Sequence, residues 1–246
     1  MKIISLIPKS LKERYEEIFG VADLKKNTNA KEILTNLFKA VDVKNFGATF
    51  AEAGANISIT GAVQLGQGFN KYEECSPHEQ NILSPFRDAT KATEEKGEAK
   101  NSTLGTKVVT DEAHYFYPFV INPASYDDYV ALGVTEGYTE EDYKKFKETA
   151  LVSATAFATN AKEGCENEFA LFVETDSDLY LPNLTSYLTF EKGEEKDVIT
   201  ISAANILDEV KDQIKSIEVY YNPHTTEVVC DIENTKYYHI ITRKEV

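Results

Sequence analysis

Seven residues between Gly61 and Lys71 carry the chemistry most directly readable from this chain. Gly61, Gly66 and Gly68 leave room for another group to approach, because glycine within a strand marks a bulge or a close backbone contact. Between and beside them stand Gln64, Gln67 and Asn70, uncharged amides that both donate and accept hydrogen bonds, and Lys71 adds a cation. Bare N–H groups and carboxamides suit the sugars and phosphates of a polyanion without reading its bases. The same residue types also make a glycine-bent strand that binds nothing.

Catalytic chemistry has much less support. His78, His114, His224 and His239 are isolated, with no H-E-x-x-H and no ligand-like spacing, and His114 in its aromatic surroundings reads as structural. Gly66-x-Gly68 does not continue into a dinucleotide fingerprint, and no Walker lysine motif is present. Asp111–Glu112, Asp127–Asp128 and Glu140–Asp142 read as solvated charge or helix starts. The expectation is a protein without catalytic residues, bound metal or cofactor. Cys75, Cys165 and Cys230 are odd in number and far apart, which fits a reducing, cytoplasmic setting. No apolar run approaches the roughly 18 residues that span a bilayer, and the start is too short for a secretory signal.

A net charge of −15 opposes nucleic acid binding as a total, but it is unevenly spread. Residues 1–110 hold 15 Lys and Arg against 14 Asp and Glu; the remainder holds 11 against 27. A partner responds to local potential within about 8–10 Å, so the first half keeps a polyanion admissible.

These residues need elements to position them. Met1–Ile7 reads as a short strand ended by Pro8. Ser10 caps a helix over Leu11–Phe19 with Glu13 completing a capping box, Gly20 ends it, and Lys9, Lys12 and Arg14 cluster at its start. A second helix begins at Thr28 or Asn29 and runs to about Ala40. Val41–Phe50 reads as extended with a turn at Asn45–Gly47, and leads into a half-buried strand from Ile57. Residues 91–102 are polar and charged, bracketed by Leu83–Arg87 and Thr103–Lys107 as arms of a protruding hairpin. Lys107–Asn122 reads as one long strand in which Tyr115-Phe116-Tyr117 either stacks bases or packs. Thr139 caps a helix reaching Lys162 with Phe146, Ala150, Leu151, Ala154 and Phe157 as its buried stripe. Strands at Phe169–Glu174, Thr185–Phe190, Val198–Ile201, Ile217–Tyr221, Val228–Ile232 and Tyr237–Thr242, with a helix at Ile206–Ile214, complete an α+β chain of ferredoxin-like order. That fold class settles no function.

Four segments occur in order: Phe46-Gly47-Ala48-Thr49-Phe50, Ile59-Thr60-Gly61-Ala62-Val63-Gln64, Leu104-Gly105-Thr106-Lys107 and Tyr138-Thr139-Glu140-Glu141-Asp142-Tyr143. Together they resemble the Cas-seven family, the CRISPR-RNA backbone subunit of type I complexes (Cascade), in its I-B form and over nearly all of the chain from Ser10. The resemblance implies one domain over 1–246, with an RRM-like palm (57–72 and 107–246), a finger region with part of the palm (1–56) and a thumb hairpin (83–106). It implies a non-catalytic subunit in antiviral defence that oligomerises along the CRISPR RNA. Its partners would be further copies of itself, the large and cap subunits, and target DNA reached through the guide. Lys9, Lys12, Arg14, Phe46, Gly61, Gln64, Gly66, Gln67, Gly68, Asn70 and Lys71 would contact RNA, as would Phe86, Arg87, Leu104, Gly105, Thr106 and Lys107 around the thumb. The family begins with a strand and helix ahead of this chain's first residues, so those elements are expected to be missing here. Two other readings compete: an endoribonuclease of the same RNA-binding superfamily, which needs a general acid–base pair, and a small-molecule enzyme on a ferredoxin-like scaffold.

Overall fold

The computed structural model describes residues 8–26, 29–52, 54–83 and 104–246; the strand expected at Met1–Ile7 and the charged segment 91–102 lie outside them. Helix α1 (Leu11–Phe19) starts as its sequence dictates. The Ser10 hydroxyl accepts from the Glu13 N–H, the Glu13 carboxylate accepts from Ser10, and Gly20 closes the helix at φ 65°. Helix α2 (Ala30–Leu37) is capped by Asn29 and ends before Ala40.

Val41–Phe46 is a third helix, α3, and not the extended segment expected from its alternating residues. Its six residues are too few for periodicity to separate helix from strand. Tertiary placement decides the matter: Val43, Lys44 and Asn45 are buried, and the Asn45 side chain bonds back to the Val41 carbonyl at 2.7 Å. Gly47, at φ 75°, then turns the chain into β1 (Gly47–Glu52), which pairs antiparallel with β2 (Ala55–Thr60). The three helices and this ribbon enclose a core of Tyr15, Leu24, Ile33, Leu37, Phe50 and Tyr126.

The expected long strand at Lys107–Asn122 is broken into three. Strands β3 (Val63–Leu65) and β4 (Phe69–Asn70) come first, followed by the hairpin of β5 (His78–Leu83) and β6 (Leu104–Val109). Then β7 (Tyr115–Phe116) pairs with β4, and β8 (Phe119–Ile121) pairs with β3. Pro118 separates β7 from β8, because proline has no N–H to give a ladder.

A short helix, α4 (Asp127–Ala131), precedes α5 (Glu140–Ala150), which carries the expected capping box between Thr139 and Asp142. Helix α5 stops well before Lys162. The Asn167 side chain donates to the Ala150 carbonyl at 2.7 Å and accepts from the Ala154 and Thr155 N–H groups, so it divides α5 from a short α6 (Ser153–Ala156). Phe157, expected in the buried stripe, is exposed as a result.

The second half forms two three-stranded sheets. In one, β12 (Ile214–Tyr221) lies between antiparallel β9 (Phe169–Thr175) and parallel β14 (Lys236–His239). In the other, β11 (Asp197–Ile201) lies between antiparallel β10 (Leu188–Glu191) and parallel β13 (Thr226–Cys230). A short helix, α7 (Ala204–Leu207), precedes β12 and continues as a 3-10 turn over Asp208–Gln213. Helix α5 packs on the β9–β12 face, where Lys147 pairs with Glu218 and lies 5.0 Å from the centre of the Phe172 ring. Burial opposes the Glu218 charge, but Lys147 and the Tyr220 hydroxyl hold its carboxyl below the usual range. The chain is therefore α+β.

Candidate functional site

The segment Gln64–Gln67 is exposed where the chain leaves β3, and β5 and β6 form a two-stranded ribbon of their own. Each of its neighbours has a definite local role. Gly61 sits where a Cβ would come within 2.5 Å of both the Asn45 carbonyl oxygen and the Gly47 nitrogen. A Cβ on Gly66 would meet Pro118 at 2.7 Å, and one on Gly68 would strike the Tyr117 ring. The close approach that the sequence advertises is thus made by the chain itself at all three glycines.

The polar side chains divide in the same way. Gln64 donates from Nε2 to the Gly61 carbonyl at 2.8 Å, and Gln67 has no partner among the described residues. Asn70 is used internally: Oδ1 accepts from the Tyr72 and His114 N–H groups, and Nδ2 donates to the Tyr72 carbonyl. Lys71 donates to the Leu188 carbonyl at 2.8 Å and lies 5.7 Å from the centre of the Phe116 ring, tying β4 to β10. At the first helix, Lys9 pairs with Glu17, and Lys12 pairs with Glu16 and Asp23. Arg14 is exposed and has no ion-pair partner among the described residues. Phe46 is exposed, 6.5 Å between ring centres from Phe146. On the hairpin, Gly105, Thr106 and Lys107 lie on β6, and Lys107 has no ion-pair partner among the described residues. Leu104 opens that strand, while Phe86 and Arg87 lie outside the described residues. The hairpin's arms begin at His78 and close at Val109, further down than the expected 83–106.

A corner behind the segment fixes its direction. The Ala62 N–H donates to the Tyr126 hydroxyl at 3.1 Å, which donates in turn to the Lys44 carbonyl at 2.9 Å. Lys44 reaches Asp142 at 2.7 Å and Glu136 at 2.9 Å, and the Tyr138 hydroxyl donates to Asn45 at 2.8 Å. Residues of three separated segments, around Phe46, Gly61 and Asp142, therefore meet within a few ångströms.

One cluster was not visible in the sequence. His114 places Nδ1 2.7 Å from Glu168 and Nε2 3.1 Å from Glu112, with its ring stacked on Phe190 at 3.8 Å. Glu112, His114 and Asp197 bring ligand-type atoms within 4.8 Å of one another. Lys192 already lies 2.5 Å from Glu112 and 3.3 Å from Asp197, supplying the positive charge that a cation would bring. Glu112 is only two residues from His114, but Glu168 just before β9, Phe190 on β10 and Asp197 on β11 are too distant in sequence for a spacing rule to join them. With both nitrogens engaged, His114 acts as a structural pin between sheets, as its aromatic surroundings suggest.

The family model for CRISPR-associated protein Cas7 matches residues 6–220. The chain belongs to the Cas7 family. No curated protein matches it. Membership makes this Cas7 chain, in general terms, a CRISPR-associated RNA-binding backbone subunit that works with CRISPR RNA and other Cas proteins. Cas7 proteins are generally non-catalytic. Among the described residues no helix is long and apolar enough to cross a membrane.

Proposed function

We propose that this Cas7 protein is the repeated, non-catalytic backbone subunit of a type I-B-like interference complex, a Cascade acting in antiviral defence in the cytoplasm. Copies polymerise along one guide, hold it extended for pairing with target DNA, and adjoin the large and cap subunits. The observation that carries this reading is the exposed Gln64–Gln67 segment, anchored at its start by a buried corner. A guide of arbitrary sequence must be held through phosphate and sugar, and backbone N–H groups, amides and a few cations suffice for that. In this reading 57–72 and 107–246 form an RRM-like palm, 1–56 the finger region, and the β5–β6 hairpin with the segment it carries is the thumb.

Not all of the candidate cations are equal in this role. Lys9, Lys12 and Lys71 already have partners, whereas Arg14 and Lys107 do not among the described residues. Replacing Gln64 and Lys107 together by alanine is expected to weaken RNA binding equally for unrelated guide sequences. The slope of log affinity against log salt should become shallower by about 1. A loss confined to one guide sequence contradicts the proposal. Assembly is tested by size-exclusion chromatography of the chain with and without a guide transcript, following absorbance ratio and mass. A multimer carrying RNA is expected, and a monomer indifferent to RNA overturns the reading.

A further inference from the structure

The β4–β7 ribbon presents an aromatic surface that the site described above does not use. In an isolated antiparallel ribbon, alternate side chains face opposite ways. Phe116 follows that rule inward and is 9% exposed in the core against β9 and β10. Its neighbours Tyr115 and Tyr117 are 52% and 57% exposed, with ring centres 6.4 Å apart and planes inclined by 38°. Neither hydroxyl has a hydrogen-bond partner among the described residues. Phe69, paired with Phe116 in the ladder, lies on the Phe116 face and so is not part of the tyrosine surface, although it too is exposed.

Exposed tyrosines alone would mean little. Here the backbone is cut away to seat one of them. Extending the ladder by one residue sets Gly68 opposite Tyr117, and the Tyr117 ring lies over that glycine so closely that a Cβ would fall 2.7 Å from Cδ1 and nearer still to the ring edge. The ring is thereby held against the ribbon with its other face open. Gln67, with its free carboxamide, is the next residue along.

We propose that Tyr115 and Tyr117, seated on Gly68, form a stacking platform for unpaired bases of the single-stranded RNA that the Cas7 chain holds by its backbone. Aromatic faces accept any base, so a platform of this kind adds affinity without sequence preference, which is what an arbitrary guide requires. The inference rests on the RNA-backbone reading and assigns it a second mode of contact, directed at bases and not at phosphates.

The test uses the full chain and two short oligomers of equal length. One is a uridine oligomer carrying a single 2-aminopurine, whose fluorescence falls on stacking; the other is a ribose–phosphate chain lacking bases. The wild-type chain should quench the 2-aminopurine and bind the base-bearing oligomer about tenfold more tightly than the abasic one. Tyr115→Leu with Tyr117→Leu should abolish both the quenching and that difference, while leaving abasic binding unchanged. Gly68→Ala should reproduce the loss by lifting the Tyr117 ring, and Tyr117→Phe should keep the wild-type behaviour. Equal wild-type binding of the two oligomers overturns the platform and leaves the backbone reading standing. Unchanged quenching in the double leucine variant also overturns it, including the case in which these tyrosines dock a protein instead. Failure to bind either oligomer overturns both.

Discussion

Gly61→Ala is expected to destabilise the chain by about 3 kcal/mol or more, the upper range for single substitutions. The reason is the crossing of two backbones. A Cβ at Gly61 would lie 2.5 Å from the Asn45 carbonyl oxygen and 2.5 Å from the Gly47 nitrogen, and none of these atoms can swing aside as a side chain would. Gly47 is held at φ 75° on the other side of the same crossing, so the corner cannot relax there without a second strained residue. The contrast is Gly105→Ala. Its Cβ would meet Ile82 at an ordinary 3.9 Å, and the expected change in stability is within about 1 kcal/mol. Urea midpoints for the two variants check this directly. A Gly61→Ala protein as stable as the parent would show that the corner is not closed as described. Any RNA defect in Gly105→Ala, by contrast, would report on the approach of a ligand to the hairpin.

Asp142→Ala is expected to cost about 3 kcal/mol. Asp142 does two jobs at once: it completes the capping box of α5 with Thr139, and it is the nearer carboxylate on Lys44. Both side chains are largely buried, 11% exposed for Lys44 and 14% for Asp142, so the pair escapes much of the solvent screening that weakens surface pairs. Removing the carboxylate leaves Lys44 with Glu136, whose side chain is 73% exposed. Glu136→Ala should therefore change stability by no more than about 0.5 kcal/mol. The pH dependence follows. Burial opposes the charge of Asp142, but Lys44 and Thr139 outweigh it and hold the carboxyl below its ordinary value. Its contribution is present above about pH 4 and lost as the pH falls through the depressed value. Lys44 is affected in the mirror sense. Burial lowers its value, and the two carboxylates more than restore it, so the Lys44 contribution holds through neutral pH and fails only in strong alkali. Stability that declines equally in acid for the parent and for Asp142→Ala contradicts the assignment.

What the sequence reveals of this fold is what lies within a few residues. The two capping boxes, at Ser10–Glu13 and Thr139–Asp142, are complete because each needs only four consecutive residues. The failures share a different cause. Helix α3 looks extended because what makes it a helix is burial of Val43, Lys44 and Asn45 against distant residues. The long helix after Thr139 ends at Ala150 because Asn167, beyond the end of α6, takes the Ala150 carbonyl. In the site, the glycines are legible as places of close approach, but the sequence cannot say what approaches. At Gly61 it is the Asn45–Gly47 backbone, at Gly66 Pro118, and at Gly68 Tyr117. Asn70 and Lys71 are of the right types to bind RNA, yet their polar atoms are held by Tyr72, His114 and Leu188. The family segments around Phe46, Gly61 and Asp142 converge on one corner, which accounts for their joint occurrence more directly than ligand contact does.

As proposed above, the Cas7 chain grips a ribose–phosphate strand without regard to its letters and leaves it whole. The most direct measurement is the affinity of the purified chain for several unstructured RNAs of equal length and unrelated sequence, across a range of salt, with RNA integrity followed on a gel. Affinities agreeing within about threefold, parallel falls with salt and uncut RNA are predicted. A strong preference for one sequence, binding that ignores salt, or shortened RNA would contradict it.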